Sequence, residues 1–190
     1  MAEIVILTGH LATGKTALAQ TLAEQHGFVL VRTSELLRER FGQQSSKPLS
    51  RTDLQDRGRQ LDEETDGEWL SNHIEALLSD QRPKIVIDHV RNERQLRHFR
   101  NRAQWRIVHV HLYAPKDSLE ERFGPKQEEE NIPYAAADPI ESEEDIAKFR
   151  HDADVRINVN RTDHADTYIR VAARLGLFSD PGDRLVDIII

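Results

Sequence analysis

A short apolar run near the start of the chain, Ile4-Val5-Ile6-Leu7, leads into the series Gly9-His10-Leu11-Ala12-Thr13-Gly14-Lys15-Thr16. The spacing is G-x-x-x-x-G-K-S/T with a strand before it and a helix after it, which is the context a phosphate-binding loop requires. Two glycines let the backbone curl so that successive N–H groups face one anion. A helix starting near Lys15 turns the positive end of its dipole toward the same point. Lys15 can bridge the β- and γ-phosphates of ATP, and the Thr16 hydroxyl suits Mg2+. Gly9, His10, Leu11, Ala12, Thr13, Gly14, Lys15 and Thr16 are therefore the candidate nucleotide-binding residues. An ordinary glycine-rich turn would not need the Lys-Thr pair.

The rest of the chain alternates between two periods. Apolar runs suited to buried strands occur at Ile4 to Leu7, Phe28 to Val31, Ile85 to Ile87, Ile107 to Leu112 and Val155 to Val159. Helical spacing marks Lys15 to Gln25, a segment after Ser34 as its N-cap, and a long stretch from Thr52 to Ser79 with Gly58 and Gly67 as weak points. It also marks Glu93 to Ala103, Asp117 to Phe123, Glu141 to Arg150 and Asp163 to Leu175. Such alternation predicts an α/β, three-layer P-loop NTPase fold with a five-stranded parallel sheet flanked by helices. A chain of 190 residues suits one such domain, over about 1–178, with residues 179–190 as a tail or the start of a following domain.

Composition narrows the partners. A formal charge of −7 argues against a nucleic-acid polymer as partner. No cysteine is present, which excludes a thiol nucleophile and a disulfide frame. No segment is long and apolar enough to span a bilayer, and no basic leader precedes the first strand, so a cytoplasmic location is expected. A phosphate loop does not select the reaction, but a GTPase would need D-x-x-G, and the chain contains none. Asn160-Arg161-Thr162-Asp163 has Arg where a guanine-reading N-K-x-D element has Lys.

Four further segments carry a resemblance. Ile85-Val86-Ile87-Asp88-His89-Val90-Arg91-Asn92-Glu93 resembles the third-strand signature of the P-loop nucleoside-monophosphate-kinase-like family, including its adenylate-kinase-like and dephospho-CoA-kinase-like members. Arg32-Thr33-Ser34-Glu35-Leu36-Leu37-Arg38, with Arg51 to Gly58, is similar to that family's monophosphate-binding region, about 32–79. Leu112-Tyr113-Ala114-Pro115 and Leu119-Glu120-Glu121-Arg122-Phe123 look like the strand-4 exit and the root of its lid, about 122–140. Ala153-Asp154-Val155-Arg156-Ile157-Asn158 resembles the strand before its adenine-contacting loop. The resemblance implies ATP and Mg2+, with Thr16 and Asp88 near the metal and Asn160 near the base. It implies Ser34, Arg38, Arg57, Asp88 and Arg91 around a small-molecule nucleotide acceptor, with Arg51 in reserve. Lys15, Arg91 and Arg122 would carry catalysis. His89 stands where many relatives have Gly, and the acidic stretch after Lys126 departs from an arginine-rich lid. There the working charge would be Arg122, with Lys126 or Arg150.

The expected activity is ATP-dependent phosphoryl transfer to a (deoxy)nucleoside monophosphate, with a purine among the candidates. The alternatives are a small-metabolite kinase of the dephospho-CoA or phosphomevalonate type, and a non-catalytic ATP-sensing module joined to a larger enzyme. His109 and His111 share one side of a strand, and half-buried packing accounts for them better than a metal site. The arginines from Arg91 to Arg106 read as the charged outer face of an amphipathic helix. Leu185 to Ile190 reads as a strand that resembles the opening strand of adenylosuccinate synthetase, or one that docks on this domain or an oligomer partner. Oligomeric state stays open at this level.

Overall fold

The computed structural model describes residues 1–42, 48–78, 84–124 and 143–178. In chain order the elements are β1 (Ala2–Thr8), α1 (Lys15–His26), β2 (Val29–Arg32), α2 (Thr33–Gly42), α3 (Arg51–Thr65) and α4 (Glu68–Leu77). They continue with β3 (Lys84–Asp88), α5 (Glu93–Arg100), β4 (Trp105–Tyr113), α6 (Lys116–Phe123), α7 (Glu143–Asp152), β5 (Val155–Asn158) and α8 (His164–Leu175). The five strands form one sheet in the order β2-β3-β1-β4-β5. Every pairing is parallel.

The apolar strand runs are explained by burial on both faces. Ile4, Ile6, Ile85 and Ile87 pack on one side with Leu37, Leu61, Leu70, Ile74, Leu96, Phe99 and Phe149. Val5, Leu7, Val86, Val108, Val110 and Leu112 face the other side and meet Leu18, Leu22, Tyr168 and Val171. Helices α2 to α5 and α7 thus cover one face, and α1 and α8 the other. A smaller cluster, Leu119 and Phe123 against Leu11, Ala12 and Ala114, seats α6 on the phosphate loop. Among the described residues, no helix is long and apolar enough to cross a membrane.

Several sequence expectations need correction. Gly58 does not interrupt its helix; α3 runs through it and stops at Asp66 and Gly67, both left-handed. Ser34 does not cap α2, which already starts at Thr33. Ser50, just outside α3, caps it through a reciprocal capping box with Asp53. Helix α5 ends at Arg100, leaving Ala103 outside it and exposed. The C-terminal strand, Lys126 and most of the lid segment lie outside the described residues.

A buried polar hub joins the helices on the first face. The Asp62 carboxylate accepts hydrogen bonds from Trp69 Nε1 (2.7 Å), Asn92 Nδ2 (2.7 Å) and Gln95 Nε2 (2.8 Å). Asn92 also caps α5, its side chain accepting from the Gln95 amide at 3.0 Å. One acid therefore ties α3 and α4 to the connection leaving β3. Each donor stranded by its loss would cost about 1–3 kcal/mol.

His109 and His111 are fully buried rather than half-buried. The Thr8 hydroxyl lies 2.7 Å from His109 Nε2 and 3.0 Å from His111 Nδ1. It has one proton, so it can donate to at most one ring and must accept from the other. Burial pushes His109 down to about 4, with the Arg100 charge acting in the same direction. Burial, then the neighbouring His109 and Lys15, push His111 down to about 3. Both rings gain protons near pH 6.5 when the chain unfolds, while the folded chain keeps them neutral to those lower values. Stability from this source is complete above about pH 6.5 and falls as the pH drops toward the folded values. Urea unfolding between about pH 7 and pH 5 should lose stability at up to about 1.4 kcal/mol per pH unit for each ring. His111→Leu should remove about a third of the histidine slope, because His89 is also held below the ordinary range. An unchanged slope would show that other groups titrate.

Candidate functional site

The loop after β1 curls through three left-handed positions, Gly9 (φ 132°), Ala12 (φ 64°) and Gly14 (φ 89°). Gly9 cannot be replaced, because a Cβ there would lie 2.0 Å from the Leu112 carbonyl oxygen. The loop therefore rests directly on the end of β4. Lys15 is buried, and its Nζ donates to the Gly9 and His10 carbonyls at 2.7 and 2.6 Å. Thr13 closes the curl by donating to the His10 carbonyl at 2.7 Å. The α1 N-terminus at Gly14 has no capping side chain and no acidic residue in its first turn. Its amide donors and dipole are left for an external anion, so the loop fits a nucleotide's phosphates.

Asp88 ends β3 beside this loop, level with Leu7 of β1. It is buried, and Thr16 is exposed in the first turn of α1. No group of three or more His, Asp or Glu side chains suited to a metal exists among the described residues. That is compatible with Mg2+ held mostly by phosphate and water oxygens, with one carboxylate and one hydroxyl at hand.

Beyond Asp88 the chain makes a tight, left-handed step at His89, φ 83°. Such a conformation costs a residue with a Cβ roughly 1–2 kcal/mol. The Thr33 hydroxyl donates to the His89 carbonyl at 2.8 Å, and Val90 N–H donates to the Leu7 carbonyl at 3.2 Å. Burial, followed by the charges of Lys15, Arg91, Arg51 and His10, holds the His89 ring well below the ordinary histidine range. Basic side chains from the loop, from α3 and from the β3 exit thus converge on one place. Arg91 is itself buried, and its guanidinium donates to the Gln55 carbonyl at 3.5 Å. Its backbone N–H donates to Gln95 Oε1 at 2.9 Å, which links it to the Asp62 hub.

The other sequence candidates lie farther out. Arg38 is exposed on α2, while Ser34 is half-buried in that helix's first turn. Arg57 is exposed; its guanidinium lies 5.3 Å from the Phe41 ring centroid and donates to Gln60. Arg51, rather than either of these, is among the charges that act on the His89 ring. Arg122, in the last turn of α6, donates to the Val159 carbonyl at 2.8 Å. Asn160 is exposed in the turn after β5, its amide donating to Asn158 Oδ1 at 3.1 Å. Arg150 stacks over the Tyr113 ring, 4.3 Å from its centroid. Most arginines of the 91–106 stretch make surface ion pairs, as expected: Arg97 with Asp66, Arg100 with Asp152 and Arg102 with Glu75.

A phosphate loop after the central strand of an all-parallel sheet, with a second basic cluster beside it, defines a P-loop protein with the fold of P-loop kinases. The chain belongs to the AAA-domain family, whose sequence profile matches residues 4–144. The tunicamycin resistance protein of Deinococcus radiodurans has this fold, with TM-score 0.61 and 18% identity, covering 93% of this chain and 96% of that one. A sugar kinase from Janibacter sp. HTCC2649 has TM-score 0.56 and 18% identity, covering 94% of this chain and 96% of its own. The YorR protein from Bacillus subtilis, solved in complex with phosphorylated GDP, has TM-score 0.51 and 14% identity, covering 92% and 96%. No curated protein sequence matches the chain. Family and fold together make it a P-loop AAA-domain protein that shares its fold with those structures.

Gly58 is a residue whose role sequence reading missed. A Cβ there would lie 2.6 Å from Arg91 Nη1, so this glycine makes room for the guanidinium. The available signal was a glycine inside an otherwise good helix, where it costs about 1 kcal/mol against alanine. Gly58→Ala should therefore leave stability within about 1 kcal/mol of the parent, since gained helix propensity offsets the contact. It should also reduce any activity that depends on Arg91 by about tenfold, roughly 1.4 kcal/mol. Parental activity would mean that the guanidinium relocates without consequence.

Proposed function

We propose that the protein transfers a phosphoryl group from ATP to a (deoxy)nucleoside monophosphate, with a purine favoured. The observation that carries this reading is the second basic cluster, Arg91 and Arg51 around His89, beside the phosphate loop. A neutral hydroxyl acceptor needs a general base and gains little from cations. An acceptor that carries a phosphate needs cations and no base. The neighbour solved with phosphorylated GDP supports a nucleotide on this fold.

Lys15 would leave its loop carbonyls and face the β- and γ-phosphates, while the curled backbone and the α1 N-terminus hold the chain of phosphates in line. MgATP supplies the phosphoryl group, and Thr16 and Asp88 are the residues at hand for the metal. Arg91, fixed by Gly58 and Gln95, would orient the acceptor phosphate as a planar fork. Arg122 would exchange the Val159 carbonyl for charge developing on the transferring group. Asn160 would lie beside the base. Ser34, Arg38 and Arg57 would line the outer acceptor region. The same geometry fits a second reading, a small-metabolite kinase, because Asp88 could serve a sugar hydroxyl as base and one neighbour is a sugar kinase.

A turnover panel of ribo- and deoxynucleoside monophosphates, dephospho-CoA and gluconate separates the readings. At least one purine monophosphate should be phosphorylated, and Lys15→Ala should abolish turnover while the fold persists. Arg91→Lys should raise the acceptor KM about tenfold and leave the ATP KM nearly unchanged, because charge is kept and the fork is lost. Turnover of gluconate alone would sink the nucleotide reading. Arg122→Ala should lower kcat about a hundredfold with ATP affinity retained, as for a contact made in the transition state. Parental kcat in that variant would move the lid charge elsewhere.

A further inference from the structure

His89 occupies a step that glycine would take without strain, yet it carries a ring there. The backbone of the step is anchored on both sides, by Thr33 to its carbonyl and by Val90 N–H to Leu7. The ring has no such anchor at its tip. His89 Nε2 is shielded from solvent and has no hydrogen-bond partner among the described residues. His111 Nε2 in the core is unpaired as well, so it is the coincidence of an unpaired ring nitrogen with a strained backbone at the β3 exit that marks a place for a ligand. Its neighbours show which ligand. Lys15 and His10 of the phosphate loop, Arg51 at the start of α3, and Arg91 all act on the ring by charge, and Asp88 precedes it.

We propose that His89 is an acceptor-binding residue whose Nε2–H donates to the acceptor's phosphate, between the charges of Arg91 and Arg51. The proposal rests on the phosphate-acceptor reading above. Two guanidiniums supply charge but leave phosphate oxygen lone pairs unsatisfied, and a fixed ring N–H adds a directional bond. A glycine at this step would leave the same cations with a less oriented anion. The histidine thus accounts for specificity toward a phosphate-bearing acceptor rather than for charge. A ring with a purely packing role would give no reason for a strained backbone and an unpaired nitrogen in a ring on which four basic groups act.

His89→Gly removes the ring and the strain together, so it should melt at or above the parental temperature. With dGMP as probe, its acceptor KM should rise about tenfold while the ATP KM stays within about twofold. His89→Asn tolerates the left-handed backbone and keeps a shorter donor, so its acceptor KM should fall between the two. A second measurement uses the unaltered protein, saturated with Mg2+ and a non-hydrolysable ATP analogue. The His89 imidazole resonance, assigned by its loss in either variant, should shift on adding inorganic phosphate and on adding dGMP. A shift with phosphate, when no nucleotide on the panel is turned over, would keep the His89 site and defeat the nucleotide reading. Turnover of dGMP with an unmoved resonance, or a stable His89→Gly variant with parental acceptor KM, would overturn the His89 site and leave that reading standing. A resonance indifferent to both probes would also overturn it.

Discussion

Strand β1 is paired on both sides, with β3 and with β4, and both neighbours run parallel to it in continuous register. Parallel pairing points the carboxyl ends of all three strands the same way, so β1, β3 and β4 end at Thr8, Asp88 and Tyr113 on one side of the sheet. The phosphate loop, the β3 exit and the end of β4 are thereby brought within reach of one ligand. Gly9 makes this contact as close as backbone allows, lying against the Leu112 carbonyl with no room for a Cβ. Without that register, a correct loop sequence would curl around an anion with no second site beside it.

Packing then couples the second site to the first. Asp62 is a buried acid that three side-chain donors satisfy, and those donors come from α4 and the start of α5. Gln95 belongs to this hub and also accepts the Arg91 backbone N–H. The placement of one guanidinium therefore depends on a hydrogen-bond network that reaches the helices expected to surround an acceptor. Gly58 completes the arrangement from α3 by leaving space that any side chain would fill. A network of this kind is stabilising only while every member is paired, so it also sets the helices in a single arrangement.

Charge at the sheet edge is managed by burial as much as by ion pairs. His89, His109 and His111 are held neutral mainly by burial, close to Lys15 or to arginines. Neutral rings can stand near cations without adding to their repulsion. The chain has a net charge of −7, so this basic spot is a local feature set against the overall balance.

The amino-acid sequence by itself determined the loop from Gly9 to Thr16, the alternation of strands and helices, and Asp88 and Arg91 as a unit. Local rules carry each of these: glycines permit the curl, doubly buried strands must be apolar, and residues three apart after a strand leave it together. Tertiary structure decided that the Arg51 charge acts on the His89 ring while Arg38 stays exposed on α2, because helix periodicity says which face a residue occupies and not what that face meets. It also decided that Gly58 is space for Arg91 and no break, and that His109 and His111 share one hydroxyl in the core. Thr8 lies about a hundred residues from both histidines in sequence, and only strand register brings them together. The Asp62 hub was invisible for the same reason: an acid in a polar helix becomes a buried acceptor only when distant donors are packed against it.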